Sequence, residues 1–192
     1  MESLTEYYFD IETAPTEQYR REEWAAIDPA KAKIISIQYQ PLDGRTGKPL
    51  GELVVLREWE DDSSEKIIVE KFRTLFVDGG KWNFVPIGNN LGFENRFMKY
   101  KLKQFCGLDG LRLGHRPMVD LIHVMIIMNG GDFRNSTRFL GKLGLAANMT
   151  EWYYTKDWPA IENYVRKEAE DFVDAYTILK EEIPKIKLPH SV

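Results

Sequence analysis

The sequence predicts an α/β domain in which a mixed central sheet is flanked by helices. Short β-branched and aromatic segments near the start of the chain are separated by polar turns, which is typical of antiparallel strands. Amphipathic segments then alternate with a further strand, and the chain ends in a long helix with an apolar stripe. The 192 residues are enough for one core, so we expect a single domain over residues 1–192.

Four strands are predicted. Tyr7–Pro15 is aromatic and β-branched until a proline stops it, and Ile34–Gln40 is β-branched at its start. Pro41–Pro49 is dense in turn formers and predicts a hairpin that leads into Glu52–Arg57. Asn83–Gly88 is predicted as the fourth strand, although a proline disfavours it. We expect the first three strands to be mutually antiparallel because short turns join them.

The helices follow from apolar spacing and capping residues. Two of them are short: one within the polar segment after the first strand and one that Ser136 caps, holding Phe139, Leu140 and Leu143. We expect Met118–Met128 to be a largely buried helix, because it is the most apolar window of the chain. The predicted helices are Glu17–Ala26, a helix between Asp61–Ser64 and Gly79–Gly80, Phe93–Phe105, Met118–Met128, the Ser136 helix and Trp158–Ile183.

Composition limits the classes of function. Hydrophobic residues make up 43% of the chain and the net charge is −4, so no overall basic field attracts nucleic acid, although a local patch suffices for one strand end. The single cysteine excludes an internal disulfide and a cysteine-rich zinc site. The first residues lack the features of a signal peptide, and Met118–Met128 is too short to span a bilayer. We therefore expect a cytoplasmic protein that makes no membrane contact.

Two carboxylates end the first strand. Because side chains alternate along a strand, Asp10 and Glu12 point the same way. Two adjacent carboxylates repel each other and lose solvation unless a divalent cation with oxygen ligands compensates. Equally, the two acids can reach water at the strand end or cap the following turn. This stretch alone leaves both interpretations open.

Two further acids, Glu168 and Glu94, lie on predicted helices. Tyr164 and Glu168 are four residues apart on the last helix, beside a core stripe of Ile161, Val165, Ala169 or Phe172, Tyr176 and Leu179. A glutamate on an acidic helix is more often solvated, so spacing alone favours a surface role for Glu168. Glu94 follows the loop Asn89–Gly92, where it either complements the helix dipole or joins the first two acids at one end of the sheet.

Taken together, three motifs resemble the DEDD-type 3′-5′ exonucleases of the ribonuclease H-like superfamily, most of all the exonuclease domain of family B DNA polymerases. The motifs are Phe9-Asp10-Ile11-Glu12-Thr13, Asn89-Asn90-Leu91-Gly92-Phe93-Glu94 and Tyr164-Val165-Arg166-Lys167-Glu168-Ala169. Their order and separation fit, and the likeness covers essentially the whole chain. It implies a ribonuclease H-like three-layer α/β fold. The chain has Glu94 and Glu168 where the family has Asp, which puts the spacing, choice and reactivity of bound metal in doubt; Asp171 is a substitute ligand of lower rank.

The resemblance implies hydrolysis at a single-stranded 3′ end, with DNA favoured, by a two-metal mechanism. Asp10, Glu12, Glu94 and Glu168 would bind two Mg²⁺ or Mn²⁺ ions, and Tyr164 would orient the attacking water, as in the Tyr subtype. The implied substrate contacts are Thr13, Asn89, Asn90 and Phe93. A core position explains Phe93 at least as well. The candidate phosphate contacts are Arg96, Lys99, Lys101, Lys103, Arg134, Arg138 and Lys142.

Two other classes of function stay open. One is a weakly active or inactive domain that keeps the fold and binds nucleic acid or docks a partner. The other is an unrelated α/β protein whose acids are all surface charge. We expect no polymerase domain in these 192 residues, so any proofreading would need a polymerase or repair partner in trans.

Overall fold

A computed structural model describes residues 5–78, 82–109, 116–134, 138 and 148–187. Within these ranges, five strands form one mixed sheet in the order β3-β2-β1-β4-β5. The strands are β1 Glu6–Pro15, β2 Ala32–Leu42, β3 Val54–Arg57, β4 Val85–Gly88 and β5 Val119–Asp120. The helices are α1 Glu65–Arg73, α2 Leu91–Cys106, α3 Leu121–Met128, α4 Met149–Thr155 and α5 Trp158–Glu182.

β2 pairs antiparallel with both β1 and β3, as predicted, although the β1–β2 connection spans residues 16–31 and is not a short turn. β4 and β5 then add in parallel on the other side of β1. The carboxyl ends of β1, β4 and β5 therefore lie at one edge of the sheet, where open α/β sheets place their ligands. This arrangement confirms the predicted α/β fold with a mixed sheet.

The alternation of side chains along β1 separates two layers of helices. Phe9 and Ile11 pack against α1 and α2, with the Phe9 ring stacked on Phe72 at 4.9 Å between centroids. Tyr8 points to the opposite face, where its ring lies 5.0 Å from Phe172 of α5. Asp10 and Glu12 have the parity of Tyr8, so β1 directs both carboxylates toward α5.

Several helix predictions are confirmed with adjusted ends. Ser64 caps α1, accepting a hydrogen bond from the Ile67 amide, and a π-helical turn at Thr74–Asp78 extends the helix. α2 begins two residues before the predicted start, and α5 ends one residue before the predicted end. The helix predicted at Ser136 lies outside the described residues.

The predicted helix Glu17–Ala26 is wrong. The chain forms two 3₁₀ turns there, Glu17–Tyr19 and Ala25–Ile27. Trp24 between them has a left-handed backbone, with φ of 65°, which no α-helix accommodates. The segment also lacks an apolar stripe that could be buried against the sheet, and a short helix needs such packing to form.

The helix predicted over Met118–Met128 is confirmed from Leu121 onward, but its predicted burial is wrong. The segment begins as strand β5, and Asp120 then caps α3 by accepting a hydrogen bond from the Ile122 amide. Only one side of a two-turn helix can face a sheet. Leu121 and Met125 are therefore buried, whereas Ile127 and Met128 are 77% and 50% exposed. In the part of the chain that the structure describes, no helix is both long and apolar enough to cross a membrane.

Candidate active site

A pocket of about 260 Å³ opens at the carboxyl edge of the sheet. β1, the β4–α2 connection and α5 each supply part of its wall, and α4 closes one side with Met149 and Thr150. All nine residues singled out in the sequence line it: Asp10, Glu12, Thr13, Asn89, Asn90, Phe93, Glu94, Tyr164 and Glu168. Three distant segments of the chain therefore converge on one cavity.

The carboxylates at the centre of the pocket come from β1 and α5. One oxygen from each of Asp10, Glu12 and Glu168 lies within 4.8 Å of the other two. Glu168 is only 7% exposed, so it does not occupy the surface position that its helical spacing favoured. Asp171, the substitute ligand of lower rank, is not part of this group. Its carboxylate instead accepts a hydrogen bond from Lys167 at 2.6 Å.

Glu94 occupies the wall of the same pocket from the first turn of α2. It is 3% exposed, so it is not a solvated acid that merely complements the helix dipole. Its carboxylate does not belong to the group of three that approach within 4.8 Å. Four acids therefore share the cavity, with three in close mutual approach and the fourth to one side.

Two tyrosines border the carboxylates. The Tyr8 hydroxyl donates to Asp10 Oδ2 at 3.4 Å, and the Ile11 amide donates to Asp10 Oδ1 at 3.0 Å, so both oxygens of this carboxylate are oriented. Burial raises the pKa of Tyr8, and the negative charge of Asp10 raises it further. Burial likewise raises the pKa of Tyr164, with contributions from Glu12 and Glu168. Both hydroxyls therefore keep their protons at neutral pH and remain hydrogen-bond donors.

The Asn89–Asn90 loop is held by contacts that sequence reasoning missed. Asp120 at the end of β5 accepts hydrogen bonds from the Asn90 amide at 2.7 Å and the Leu91 amide at 2.9 Å. Gly88 lets β4 approach β1 closely, because an added Cβ would lie 2.9 Å from the Phe9 carbonyl oxygen. The only signal for Asp120 in the sequence was an acid that interrupts an apolar window.

The other candidate substrate contacts are placed as follows. The Thr13 hydroxyl donates to the Ala26 carbonyl at 2.7 Å, after a shift in strand pairing between Glu12 and Thr13. The Asn89 side-chain oxygen is buried and accepts no hydrogen bond from the described residues. Phe93 is half-buried and packs on Phe97, with 4.8 Å between ring centroids.

One candidate phosphate contact is wrong. Lys101 is only 4% exposed, and its ammonium group donates to the Ala32 carbonyl at 2.7 Å and pairs with Glu65 at 2.9 Å. The charge is therefore internal and ties α2 to α1 and β2. Arg96, Arg134 and Arg138 are exposed. Lys142 lies outside the described residues.

The donor set fits a hard divalent cation. The pocket-lining residues among the described parts of the chain include four carboxylates and neither lysine nor arginine. Carboxylate oxygens are the ligands that Mg²⁺ and Mn²⁺ prefer, and a cation would offset the mutual repulsion of the three central acids. We therefore take this group as a candidate metal site.

The fold is that of known nucleases. No family model and no curated protein matches the chain. Among solved structures, apo exonuclease I matches with a TM-score of 0.60 and 14% identity, over 96% of this chain and 43% of that chain. The structure of exonuclease I from which a route to processivity was suggested matches with a TM-score of 0.61 and 15% identity, over 95% and 42%.

A third structure holds the E. coli enzyme with a dT13 oligonucleotide and matches with a TM-score of 0.60 and 14% identity, over 95% and 42%. This chain thus spans less than half the length of the exonuclease I chains. At such identities the likeness shows the fold, and it confirms the predicted ribonuclease H-like α/β architecture.

Proposed function

We propose that this chain is a metal-dependent 3′-5′ exonuclease that removes nucleotides from single-stranded nucleic acid, with DNA favoured. The observation that carries the proposal is the approach of Asp10, Glu12 and Glu168 to within 4.8 Å, in a pocket that Glu94 and Tyr164 also line. The shared fold with exonuclease I, one structure of which binds an oligonucleotide, supports the same class of reaction. The sequence motifs resemble those of the Tyr subtype of the DEDD enzymes, which supports the same assignment.

In this proposal Asp10, Glu12, Glu94 and Glu168 hold two Mg²⁺ or Mn²⁺ ions. Bound there, such ions supply Lewis-acid chemistry that promotes the attack of water and offsets charge on the leaving 3′ oxygen. Tyr8 keeps Asp10 in its orientation by donating a hydrogen bond to it. The remaining steps depend on side chains that grip the strand end and the attacking water.

Tyr164 is the group best placed to orient water. It lies one helical turn from Glu168 and donates a hydrogen bond toward that carboxylate, while its oxygen is an acceptor on the pocket wall. Because its pKa is raised, the hydroxyl acts as a hydrogen-bonding group and not as a base at neutral pH. Removing the Tyr164 hydroxyl should lower the turnover rate and leave the folded state intact.

The terminal nucleotide would contact the part of the pocket wall that the Asn89–Asn90 loop and Phe93 form. The buried Asn89 oxygen can accept a hydrogen bond from the sugar or base, and Phe93 offers a half-buried ring. Asn90 sits in a left-handed turn that Asp120 fixes, so its side chain is presented from a rigid support. Thr13 acts indirectly, because its hydroxyl anchors the loop at Ala26.

The test is the cleavage of a 5′-labelled single strand with Mg²⁺ or Mn²⁺. Wild type should give a ladder that shortens from the 3′ end, and a terminal phosphorothioate linkage should delay it. Asp10→Ala should give no ladder, whereas Asp174→Asn, an exposed acid on α5, should behave as wild type. Parallel DNA and RNA strands decide the substrate. Metal and strand binding without cleavage would refute the proposal and identify a binding domain.

A further inference from the structure

Trp24 combines two unusual properties. Its side chain is 72% exposed, although tryptophan is among the most apolar residues. Its backbone is left-handed, with φ of 65° and ψ of 3°, a conformation that is strained for a bulky residue and relaxed for glycine. Strained residues of this kind cluster at ligand-binding sites, where the side chain serves a purpose other than stability.

The turn that carries Trp24 is part of the rim of the pocket. The Ile27 amide donates to the Trp24 carbonyl at 3.1 Å, which closes the turn. Ala26 and Ile27 line the pocket, and the hydrogen bond from Thr13 to the Ala26 carbonyl fixes the turn to the end of β1. Trp24 is therefore held two residues from the pocket wall, on the solvent side.

The same connection carries charges of both signs, and Arg20 is its cation whose position is fixed by an aromatic ring. The guanidinium of Arg20 lies 4.0 Å from the ring centroid of Tyr154, whose hydroxyl donates to the Pro15 carbonyl at the end of β1. Arg21 is exposed, and Glu22 is paired with Lys31. A strand that leaves the pocket across this connection would meet the indole ring of Trp24 and the guanidinium of Arg20, which also lies 3.9 Å from Glu17.

We propose that Trp24 is a stacking subsite for a base of the single strand upstream of its 3′-terminal nucleotide. The inference rests on the proposed function, because it assumes that the pocket holds the strand end. A base has an apolar face that matches the indole ring whatever its identity, so this contact grips the strand without reading its sequence. The strain at Trp24 then has a reason, since glycine would relax the turn but remove the surface.

Trp82 is a matched control. It is also an exposed tryptophan, at 40%, but its carbonyl accepts a hydrogen bond from Thr5, just before β1 begins. Because β1 and β4 are parallel, this position lies at the edge of the sheet opposite to the pocket. Trp82→Ala therefore removes the same kind of surface without touching the proposed path of the strand.

The experiment measures the affinity of the full chain for 5′-fluorescein oligothymidylates of two to ten nucleotides by fluorescence anisotropy. The last three linkages are phosphorothioates, so that turnover is slow. Trp24→Ala should weaken binding of the longer strands by about 5- to 140-fold, the range for loss of one base–aromatic stack. The loss should grow with strand length, Trp24→Phe should restore most of the affinity, and Trp82→Ala should bind as wild type.

Three outcomes would overturn the inference: wild-type affinity in Trp24→Ala, equal losses in Trp24→Ala and Trp82→Ala, or no recovery in Trp24→Phe. Thermal melts of each variant separate a binding defect from misfolding, and Trp24→Gly should melt at or above the wild-type temperature. A wild type that cleaves without dependence on Trp24 refutes only this subsite. A wild type whose binding depends on Trp24 but which never cleaves refutes only the hydrolytic function.

Discussion

Replacing Glu168 with glutamine should stabilise the metal-free protein and abolish most of its response to divalent cations. The substitution keeps the shape of the side chain and an acceptor for the hydrogen bond from Tyr164, but removes one charge from the group within 4.8 Å of Asp10 and Glu12. At 4.8 Å and an effective dielectric constant near 20, two like charges repel by about 3 kcal/mol. The gain measured should be smaller because Asp10 and Glu12 are partly exposed, so we expect about 1–3 kcal/mol.

For a chain of this length that gain raises the Tm of the metal-free protein by about 2–12 °C. A bound divalent cation favours wild type instead, because a ligand at 100 times its Kd stabilises the folded state by about 2.7 kcal/mol. Glu168→Gln loses a charged ligand and should lose most of that shift. The assay is thermal unfolding in EDTA and in Mn²⁺, followed by circular dichroism.

The matched control is Asp171→Asn, which makes the same change of charge on the same helix. Its carboxylate pairs with Lys167, outside the pocket, so neither the metal-free Tm nor the Mn²⁺ shift should change by more than a degree or two. The reasoning is refuted if Glu168→Gln melts below wild type in EDTA. It is also refuted if the variant keeps the full Mn²⁺ shift.

Three further predictions concern stability. Lys101→Met should cost about 3–5 kcal/mol in urea unfolding, because it leaves the partly buried Glu65 without its charge partner, and a loss under 1 kcal/mol would contradict a buried pair. Hydrogen bonds from Arg57 lower the pKa of Glu162, so that pair stabilises above pH 4.5 and its contribution fades as the pH falls through the lowered value. The stability gap between wild type and Glu162→Gln, measured from pH 7 to pH 3, should therefore shrink, and a constant gap would disprove the linkage. Ser64→Ala should cost about 1 kcal/mol in thermal unfolding by removing the cap of α1, and an unchanged Tm would show that the cap contributes nothing.

The elements that sequence patterns predicted well are those whose neighbours in space are also neighbours in the chain. The alternation of Tyr8, Asp10 and Glu12 is a property of any strand, and the one-turn spacing of Tyr164 and Glu168 is a property of any helix. Both local patterns are the same in the folded protein. The acid-bearing face of the first strand and that of the last helix could therefore be identified from the sequence, although the distance between them could not.

What the sequence could not provide depends on contacts between distant segments. Lys101 appears as one of several surface cations on α2, and only the meeting of α2 with Ala32 and Glu65 makes it internal. Asp120 likewise gains its role from the Asn90 amide, 30 residues earlier. The unusual role of Trp24 could not be predicted because it depends on a left-handed backbone angle, which propensity scales do not assign to tryptophan.

Glu94 and Glu168 stand where the DEDD exonucleases that the sequence motifs resemble have Asp, and the two are not equivalent in the structure. Glu168 already reaches the group of three carboxylates, whereas Glu94 stands in the wall beside it. Shortening Glu168 to Asp withdraws its oxygens by about 1.5 Å, far beyond the tolerance of about 0.2 Å in metal–ligand distances. Glu168→Asp should thus weaken Mn²⁺ binding nearly as much as Glu168→Gln, although it keeps the charge.

Isothermal titration with Mn²⁺ measures the effect, and Glu94→Asp is its comparison. Because Glu94 lies outside the close group, we expect its shortening to spare the tighter binding event and to alter only a weaker second one. If Glu168→Asp binds as wild type, α5 adjusts freely, and the added methylene has no bearing on the site. If both variants lose all binding, the four acids act as one unit despite the separation of Glu94 from the other three.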